Sequence, residues 1–267
     1  MKLSEIYAVA NEIAPKRLSD EYCKTYGAYD NSGVLVDTGK DVKKILFSLD
    51  LSKAAVAKAV EIGADLIITH HPAIYGKIGR ICANDPLGGK LISCIEKGIS
   101  VLSMHLNLDA AKGGTDESLM QGVQAASGFV GEGNGSMPML ALTDGGYGRV
   151  YDIQPLTAGE LAKNMQGKFC SDKILVYGKD KQLKKVASFC GAGGDEAAIS
   201  FALSNGADGI ISSDFKHHVV AAAVESGLSV IILTHYASEN YGFKKYYEKI
   251  CQQIAIPCEY HEDKDLL

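Results

Sequence analysis

The sequence lacks several features that would assign it at once to a common class of protein. It contains no run of eighteen apolar residues, so no segment is predicted to span a bilayer. The first residues, Met1 to Ile6, lack the apolar centre of a signal peptide. Positive charge is not in excess, because 27 Lys and Arg against 32 Asp and Glu give a net charge of −5. The general attraction to nucleic-acid phosphate or anionic lipid is therefore missing, which argues against a dedicated nucleic-acid or membrane-surface protein and leaves only a local basic patch open. Without a signal peptide or a spanning segment, we expect a cytoplasmic protein.

The cysteine pattern excludes two further classes of protein. Seven cysteines is an odd number, and no C-x-x-C pair occurs. Neither a disulfide framework nor a thiolate zinc site is therefore predicted. A chain of 267 residues with 46% hydrophobic and 22% charged residues is typical of a globular protein with one large domain or two of ordinary size. If it binds a metal ion, histidine and carboxylate side chains must be the ligands.

Short apolar runs alternate with amphipathic or alanine-rich stretches, which is typical of an α/β protein. Ala64–Thr69, Ile99–Met104 and Leu228–Leu233 are predicted strands, and each is followed within two residues by a histidine.

Ser52–Ile62 and Gly89–Lys97 are predicted helices closed by Gly63 and Gly98, since glycine takes the left-handed C-cap conformation at little cost. Thr115 is predicted to cap a further helix, and Ser238–Ile254 to form the last one. Ser127–Pro138 contains four glycines and no periodicity, and is the most linker-like segment.

The second half of the chain repeats the first. Gly63–His70 aligns without a gap on Gly206–Ser213, and Gly98–Leu102 matches Gly227–Ile231. Each half then reaches a histidine followed four residues later by a carboxylate. These matches predict an α/β fold of two similar three-layer lobes, related by internal duplication, with mixed sheets and the site in the cleft between them. We place the first lobe at residues 1–126 and 234–267, and the second at residues 127–233.

Histidines follow several of the predicted strands, where ligands bind in open α/β sheets. Any one of them alone is more simply interpreted as a structural histidine. As a set they supply four imidazoles and two carboxylates: His70, His71, His105, His235, Asp109 and Glu239. Six ligands are too many for one catalytic zinc ion, which keeps three protein ligands and an open position. They suit two divalent ions about 3.5–4 Å apart, the arrangement that activates water between two Lewis acids.

The imidazole doublet sits where a strand is expected to end. Adjacent residues of a regular strand point to opposite faces, so His70 and His71 share a site only beyond the end of the strand. Pro72 favours this, because proline cannot continue the ladder. The ligand set does not identify the metal, since zinc, iron, manganese, cobalt and nickel all accept histidine and carboxylate.

Four motifs in order carry a resemblance to a known family: T-H-H-P at 69–72, H-x-N-x-D at 105–109, S-D-x-K-H-H at 213–218 and T-H-Y-x-S-E at 234–239. With D-N-S-G at 30–33, they resemble the NIF-three-like dinuclear metal-centre family, also called GTP cyclohydrolase 1 type 2 homologues. The resemblance covers about residues 28 to 245. It departs from the family pattern at Leu106, where threonine is usual, and at Ser213 and Thr234, where glycine is common.

The resemblance implies a two-lobed α/β fold, a metal pair held by the same six residues, and a homo-oligomer in the form of a hexameric ring. Asp214 and His218 are candidates for residues that support the ligands or relay protons, although His218 is equally well interpreted as a surface histidine. The glycine turn at 191–194 precedes a predicted helix and is a weak candidate for a phosphate contact.

Two functions remain open on the sequence. The first is a metal-dependent hydrolase that acts on a small phosphate- or nucleotide-containing substrate, with no separate general base identifiable. The second is a non-catalytic metal-binding chaperone or regulatory ring scaffold. DNA clamping through a ring is disfavoured by the acidic balance of the chain.

Overall fold

The computed structural model describes residues 1–131 and 136–266. The chain forms two compact units. The first comprises Met1–Ala111 and Phe243–Lys264, and the second comprises Lys112–Gly242 with the last residues from Asp265. The domain boundaries predicted at residues 126 and 234 stay predictions. No helix within the described ranges combines the length and apolarity needed to cross a lipid bilayer.

The first unit is a five-stranded mixed sheet with helices on both faces. Its strands lie in the order β1-β4-β3-β2-β11, all parallel except β1. Leu46 packs with the helices on one face, whereas its neighbour Phe47 contacts Phe243 and Tyr247 on the other. The elements in chain order are α1 Leu3–Ile13, α2 Lys16–Tyr26, β1 Gly33–Val36, β2 Ile45–Ser48, α3 Lys53–Ile62, β3 Leu66–Thr69, α4 Pro86–Lys97, β4 Ser100–Ser103, α5 Leu106–Ala110 and β11 Cys258–His261.

The second unit is a six-stranded mixed sheet, again with helices on both faces. Its strands lie in the order β5-β6-β8-β9-β10-β7, and β8, β9 and β10 are parallel. Val186 packs with α6 and α7, and the next residue, Ala187, packs with α8 and α9. The elements are α6 Thr115–Ser127, β5 Met137–Leu142, β6 Gly145–Thr157, α7 Ala158–Phe169, β7 Leu175–Tyr177, β8 Gln182–Ser188, α8 Glu196–Ser204, β9 Gly209–Ser212, α9 His217–Glu225 and β10 Ser229–Ile232. Helix α10, His235–Gln253, begins in this unit and ends in the first, and a short 3-10 turn, Lys264–Leu266, follows β11.

The predicted α/β class and its two mixed sheets are confirmed, and the two sheets are consistent with duplication. The order β1-β4-β3-β2 in one unit corresponds to β7-β10-β9-β8 in the other, with the antiparallel strand at the same place. Aspartates at matching positions of the two repeated segments also accept matching hydrogen bonds from the backbone. The carboxylate of Asp65 accepts from the Lys43 N–H at 2.8 Å, and that of Asp208 accepts from the Lys184 N–H at 2.8 Å.

The local predictions are confirmed for the elements that flank the site and fail at three places. Helix α10 begins at His235, three residues before the predicted start at Ser238. Thr115 is the first helical residue and not the cap, because Gly114 occupies the cap position. The segment predicted as a linker, Ser127–Pro138, begins with the end of α6 and ends within β5, and its residues 132–135 lie outside the described residues.

Candidate metal centre

Three imidazoles of the first unit meet at the carboxyl ends of its parallel strands. His70 and His71 directly follow β3, and His105 follows β4 as the cap residue of α5. The ring centroids are 4.9 Å apart for His70 and His71, and 5.3 Å apart for His70 and His105. One ligand nitrogen from each of the three lies within 4.8 Å of the others, so the group could hold a metal ion.

Asp109 adds a carboxylate to this group. It lies on α5, four residues after His105, and its Oδ1 is 3.4 Å from Nε2 of His70. Asp109 is 4% exposed and His70 is fully buried. Buried carboxylates are costly unless they are paired or bound to a cation, so Asp109 needs a partner such as His70 or a metal ion. The structure therefore brings together all four ligands predicted in this part of the chain.

Each of these imidazoles is held by its Nδ1 atom. Nδ1 of His70 lies 2.7 Å from the Met104 carbonyl oxygen, and Nδ1 of His71 lies 2.8 Å from Oδ1 of Asp50. Nδ1 of His105 lies 2.8 Å from Oδ1 of Asp30. Because a carbonyl and an ionised carboxylate only accept, the proton is on Nδ1 and the lone pair of Nε2 is available to a cation. This is the arrangement that orients metal-binding histidines in proteins.

The second unit holds the other two predicted ligands on the first turn of α10. His235 Nε2 lies 3.1 Å from Glu239 Oε1, and His235 Nδ1 lies 2.6 Å from Asp214 Oδ2. Burial alone would lower the pKa of His235, but the carboxylates of Glu239 and Asp214 together raise this pKa to about 9. In the metal-free protein a proton therefore occupies the imidazole that a cation would use.

Two local features bring Asp214 and Glu239 to His235. Asp214 has a φ of +53°, a left-handed conformation that aspartate adopts at modest cost and that follows the end of β9. Glu239 lies against Gly191, where an added Cβ would be 2.2 Å from Glu239 Oε1 and 3.2 Å from His235 Nε2. Gly191 is itself held between two hydroxyls, since its N–H donates to Ser238 Oγ at 3.0 Å and its carbonyl accepts from Ser213 Oγ at 2.6 Å. The glycine leaves the space that the carboxylate occupies.

The remaining sequence candidates lie in simpler surroundings. His218 on α9 is exposed, and its Nε2 lies 3.0 Å from Oε1 of the exposed Glu196, which is a surface ion pair. Its role as a supporting residue stays a prediction. In the glycine turn at 191–194, an added Cβ at Gly194 would lie 2.7 Å from the Phe215 ring, so packing accounts for this glycine. The carboxylate of Asp195 caps α8 by accepting from the Ala198 N–H at 2.8 Å, which places negative charge where an anion would bind.

Sequence reasoning missed the carboxylates that orient two of the imidazoles. Asp50 follows β2, so the sequence did contain a signal, because β2 is parallel to β3 and their carboxyl ends meet at one edge. Asp30 stands just before β1, which runs antiparallel to β4 and therefore starts at that same edge. The sequence pattern marks Asp30 only as part of the D-N-S-G motif.

Replacing Asp214 with asparagine is expected to lower metal affinity at His235 by about 10- to 100-fold, the usual effect of removing a carboxylate that orients a ligand histidine. Titration of the metal-free protein with Zn²⁺, followed by calorimetry, measures this change. The variant Glu196→Gln is the matched control, since it removes a carboxylate from a histidine that is exposed. Equal losses in both variants would contradict the role given to Asp214.

Asp30 is expected to make the metal-free protein sensitive to acid. Burial would raise the pKa of this carboxyl, but hydrogen bonds from His105, Ser19 and Ser32 hold it well below its usual range. A carboxylate with a depressed folded-state pKa contributes stability that is present above its unfolded-state pKa of about 3.9 and lost at lower pH. The free energy of unfolding, measured with urea and EDTA, should therefore fall less steeply below about pH 4 in Asp30→Asn than in the parent protein.

The exposed Asp20 offers a control for that measurement, because Asp20→Asn changes a carboxylate whose side chain is 66% exposed. Its pH profile should follow that of the parent protein. Identical profiles for all three proteins would contradict the assignment to Asp30.

Comparison with known proteins assigns the chain to a family. The family model described as Duf34/NIF3 (NGG1p interacting factor 3) matches residues 1–262. A Clostridium perfringens protein named GTP cyclohydrolase 1 type 2 homolog is 32% identical, over 99% of this chain and 97% of its own length. A Methanocaldococcus jannaschii protein of the same name is 31% identical, over 96% of this chain and 97% of its own.

Solved structures agree with this assignment. The crystal structure of a Staphylococcus aureus hypothetical protein covers 100% of this chain and 98% of its own, with a TM-score of 0.83 at 21% identity, and shows the same fold. Reduced HcgD from Methanocaldococcus jannaschii covers 97% of both chains, with a TM-score of 0.79 at 28% identity. The match to the family model along nearly the whole chain, together with these relatives, shows that this protein belongs to the Duf34/NIF3 family.

Proposed function

We propose that the protein is a metal-dependent hydrolase that acts on a small phosphate- or nucleotide-containing substrate. Two divalent metal ions would be held by His70, His71, His105, Asp109, His235 and Glu239. One observation carries the proposal: each of the four imidazoles has its Nδ1 held by a carboxylate or a carbonyl oxygen, so each has an oriented Nε2. A set of structural histidines has no need of such uniform orientation.

Ligand count supports one centre that uses both groups of ligands. His235 and Glu239 alone offer two ligands, fewer than the three or four that a stable site needs. We therefore propose that these two residues complete the metal pair together with the four ligands of the first unit.

The ions, when bound, would act as Lewis acids that lower the pKa of water and stabilise negative charge on a phosphoryl or carbonyl oxygen. The protein's own groups prepare this chemistry. Asp30, Asp50 and Asp214 keep three imidazoles in one tautomer and orientation, because each carboxylate accepts a hydrogen bond from the Nδ1–H of its histidine. The low exposure of Asp109 and Glu239, 4% each, limits competition from bulk water for their oxygens.

A second candidate function is a non-catalytic metal-binding chaperone or regulatory ring scaffold. The family description names an interacting factor, and a Saccharomyces cerevisiae relative that is 25% identical is named NGG1-interacting factor 3. We also propose that the chain forms a homo-oligomer, a hexameric ring as the resemblance implies. Strand β7 supports association between copies, since Leu175, Val176 and Tyr177 at this sheet edge are 40–54% exposed.

Turnover distinguishes the two functions. We expect protein loaded with Zn²⁺, Mn²⁺, Fe²⁺, Co²⁺ or Ni²⁺ to hydrolyse bis(p-nitrophenyl) phosphate or a nucleotide. We expect EDTA to remove this activity and added metal to restore it. Absence of turnover with every metal, in protein that binds two equivalents per chain, would favour the chaperone or scaffold. The mass in solution, measured in the same samples, tests the hexamer.

A further inference from the structure

A cavity of about 610 Å³ lies in the first unit, next to the imidazole group. It is formed by the segment that follows Pro72 and by the start of α4. Its volume falls within the range of small-molecule binding sites, roughly 300–1,000 Å³. The residues that line it and matter here are Tyr75, Lys77, Ile78, Arg80, Ile81 and Leu91.

The charge of this cavity is opposite to that of the chain. The charged residues that line the cavity are Lys77, Arg80 and Asp85, so its lining carries one net positive charge, although the protein carries a net charge of −5. Arg80 Nε lies 3.6 Å from Asp85 Oδ2, but the Arg80 side chain is 79% exposed, so this pair is weak and leaves the guanidinium accessible. A guanidinium and an ammonium on the wall of one cavity are the groups that proteins use for phosphate.

Tyr75 connects the cavity to the imidazoles. It lines the cavity, and its ring centroid is 6.2 Å from that of His105. Its hydroxyl donates to the Tyr29 carbonyl oxygen at 3.0 Å, and its ring packs edge-on against the Tyr29 ring at 5.4 Å. These contacts hold Tyr75 in place while it stays 52% exposed. A fixed, exposed aromatic ring is a surface on which a planar base stacks.

We infer that this cavity binds a nucleotide, with its phosphate on Lys77 and Arg80 and its base or sugar against Tyr75 beside His105. The role of the neighbouring imidazoles in this inference rests on the proposed function. The binding of the nucleotide in the cavity does not depend on it. This binding gives Lys77 and Arg80 a positioning role, since they would hold the phosphate while the base or sugar lies against Tyr75 beside His105. Anchoring of this kind lowers KM and leaves kcat nearly unchanged when it acts equally on ground and transition states.

Calorimetric titration of the full-length protein with GMP, guanosine and inorganic phosphate tests this inference, with and without EDTA. We expect GMP to bind more tightly than guanosine or phosphate, and to remain bound in EDTA. The double variant Lys77→Ala/Arg80→Ala should weaken GMP binding at least tenfold and leave guanosine binding within twofold. The control Lys24→Ala/Lys53→Ala removes the same charge from exposed positions of the first unit and should leave GMP affinity unchanged.

Equal GMP affinity in parent and double variant would overturn the inference, as would loss of GMP binding on addition of EDTA, because the phosphate would then lie on the metal. Failure to detect GMP binding at millimolar concentration would also overturn it. Hydrolysis of bis(p-nitrophenyl) phosphate by the parent protein separates this outcome from the proposed function. If the parent protein shows this activity, loses it in EDTA and yet binds no GMP in the cavity, the hydrolase stands although the cavity proposal fails.

Discussion

Replacing Gly191 with alanine is expected to abolish metal binding by His235 and Glu239. The added methyl carbon would lie 2.2 Å from Glu239 Oε1, well inside van der Waals contact, and Glu239 is 4% exposed and has little room to move. The φ of +58° at Gly191 adds backbone strain for any residue with a Cβ. The carboxylate must therefore shift from its place beside His235. Calorimetric titration with Zn²⁺ should show one equivalent fewer per chain than in the parent protein.

The variant Gly206→Ala separates the loss of a ligand from the cost to the backbone. Gly206 has a φ of +68°, and an added Cβ there meets no atom within 4 Å. Both variants should lose about 1 kcal/mol of unfolding free energy from the left-handed conformation. Gly206→Ala should nevertheless keep the parent metal stoichiometry. Full stoichiometry in Gly191→Ala would contradict the ligand role of Glu239.

Replacing His71 with alanine is expected to lower metal-dependent hydrolysis by about 10³-fold. Lewis-acid stabilisation by a metal ion contributes several kcal/mol to lowering a barrier, and about 1.4 kcal/mol corresponds to a factor of ten in rate. The remaining ligands would still retain one ion, so we expect metal content to fall by about half while turnover is almost lost.

The matched control is His218→Ala, which removes an exposed histidine from the second unit. Its rate, its metal content and its mass in solution should equal those of the parent protein. Assembly of His71→Ala, measured by light scattering, should also be unchanged, so that the lost activity cannot be due to a lost oligomer. Parent-like activity in His71→Ala would exclude His71 as a ligand of a catalytic ion.

The sequence predicted the framework of the site because that framework depends on local signals. Apolar runs followed by His70, His105 and His235 marked the carboxyl ends of parallel strands, where the structure has β3, β4 and β10. Repeated segments predicted two similar lobes, since the same pattern of glycine and apolar residues specifies the same turn and strand. Gly63 and Gly98 marked the ends of two helices because both adopt left-handed φ values of +67° and +71°.

Other parts of the site depend on contacts between segments that are distant in the sequence, and no local sequence pattern predicts these contacts. The bond from His105 to Asp30 joins residues 75 positions apart, and that from His71 to Asp50 joins residues 21 apart. The requirement for glycine at 191 arises from Glu239, which lies 48 residues later. The early start of α10 also escaped prediction, although it is what puts His235 and Glu239 on one helical turn.

Anomalous diffraction from crystals of the metal-loaded protein, recorded at the absorption edge of the bound element, is the most direct test of the central claim. We expect two anomalous peaks per chain, one for each metal ion. The ligands of the two ions are expected to be His70, His71, His105, Asp109, His235 and Glu239. A single ion bound by residues of the first unit alone, with the first turn of α10 taking no part, would contradict a dinuclear centre and with it the proposed chemistry.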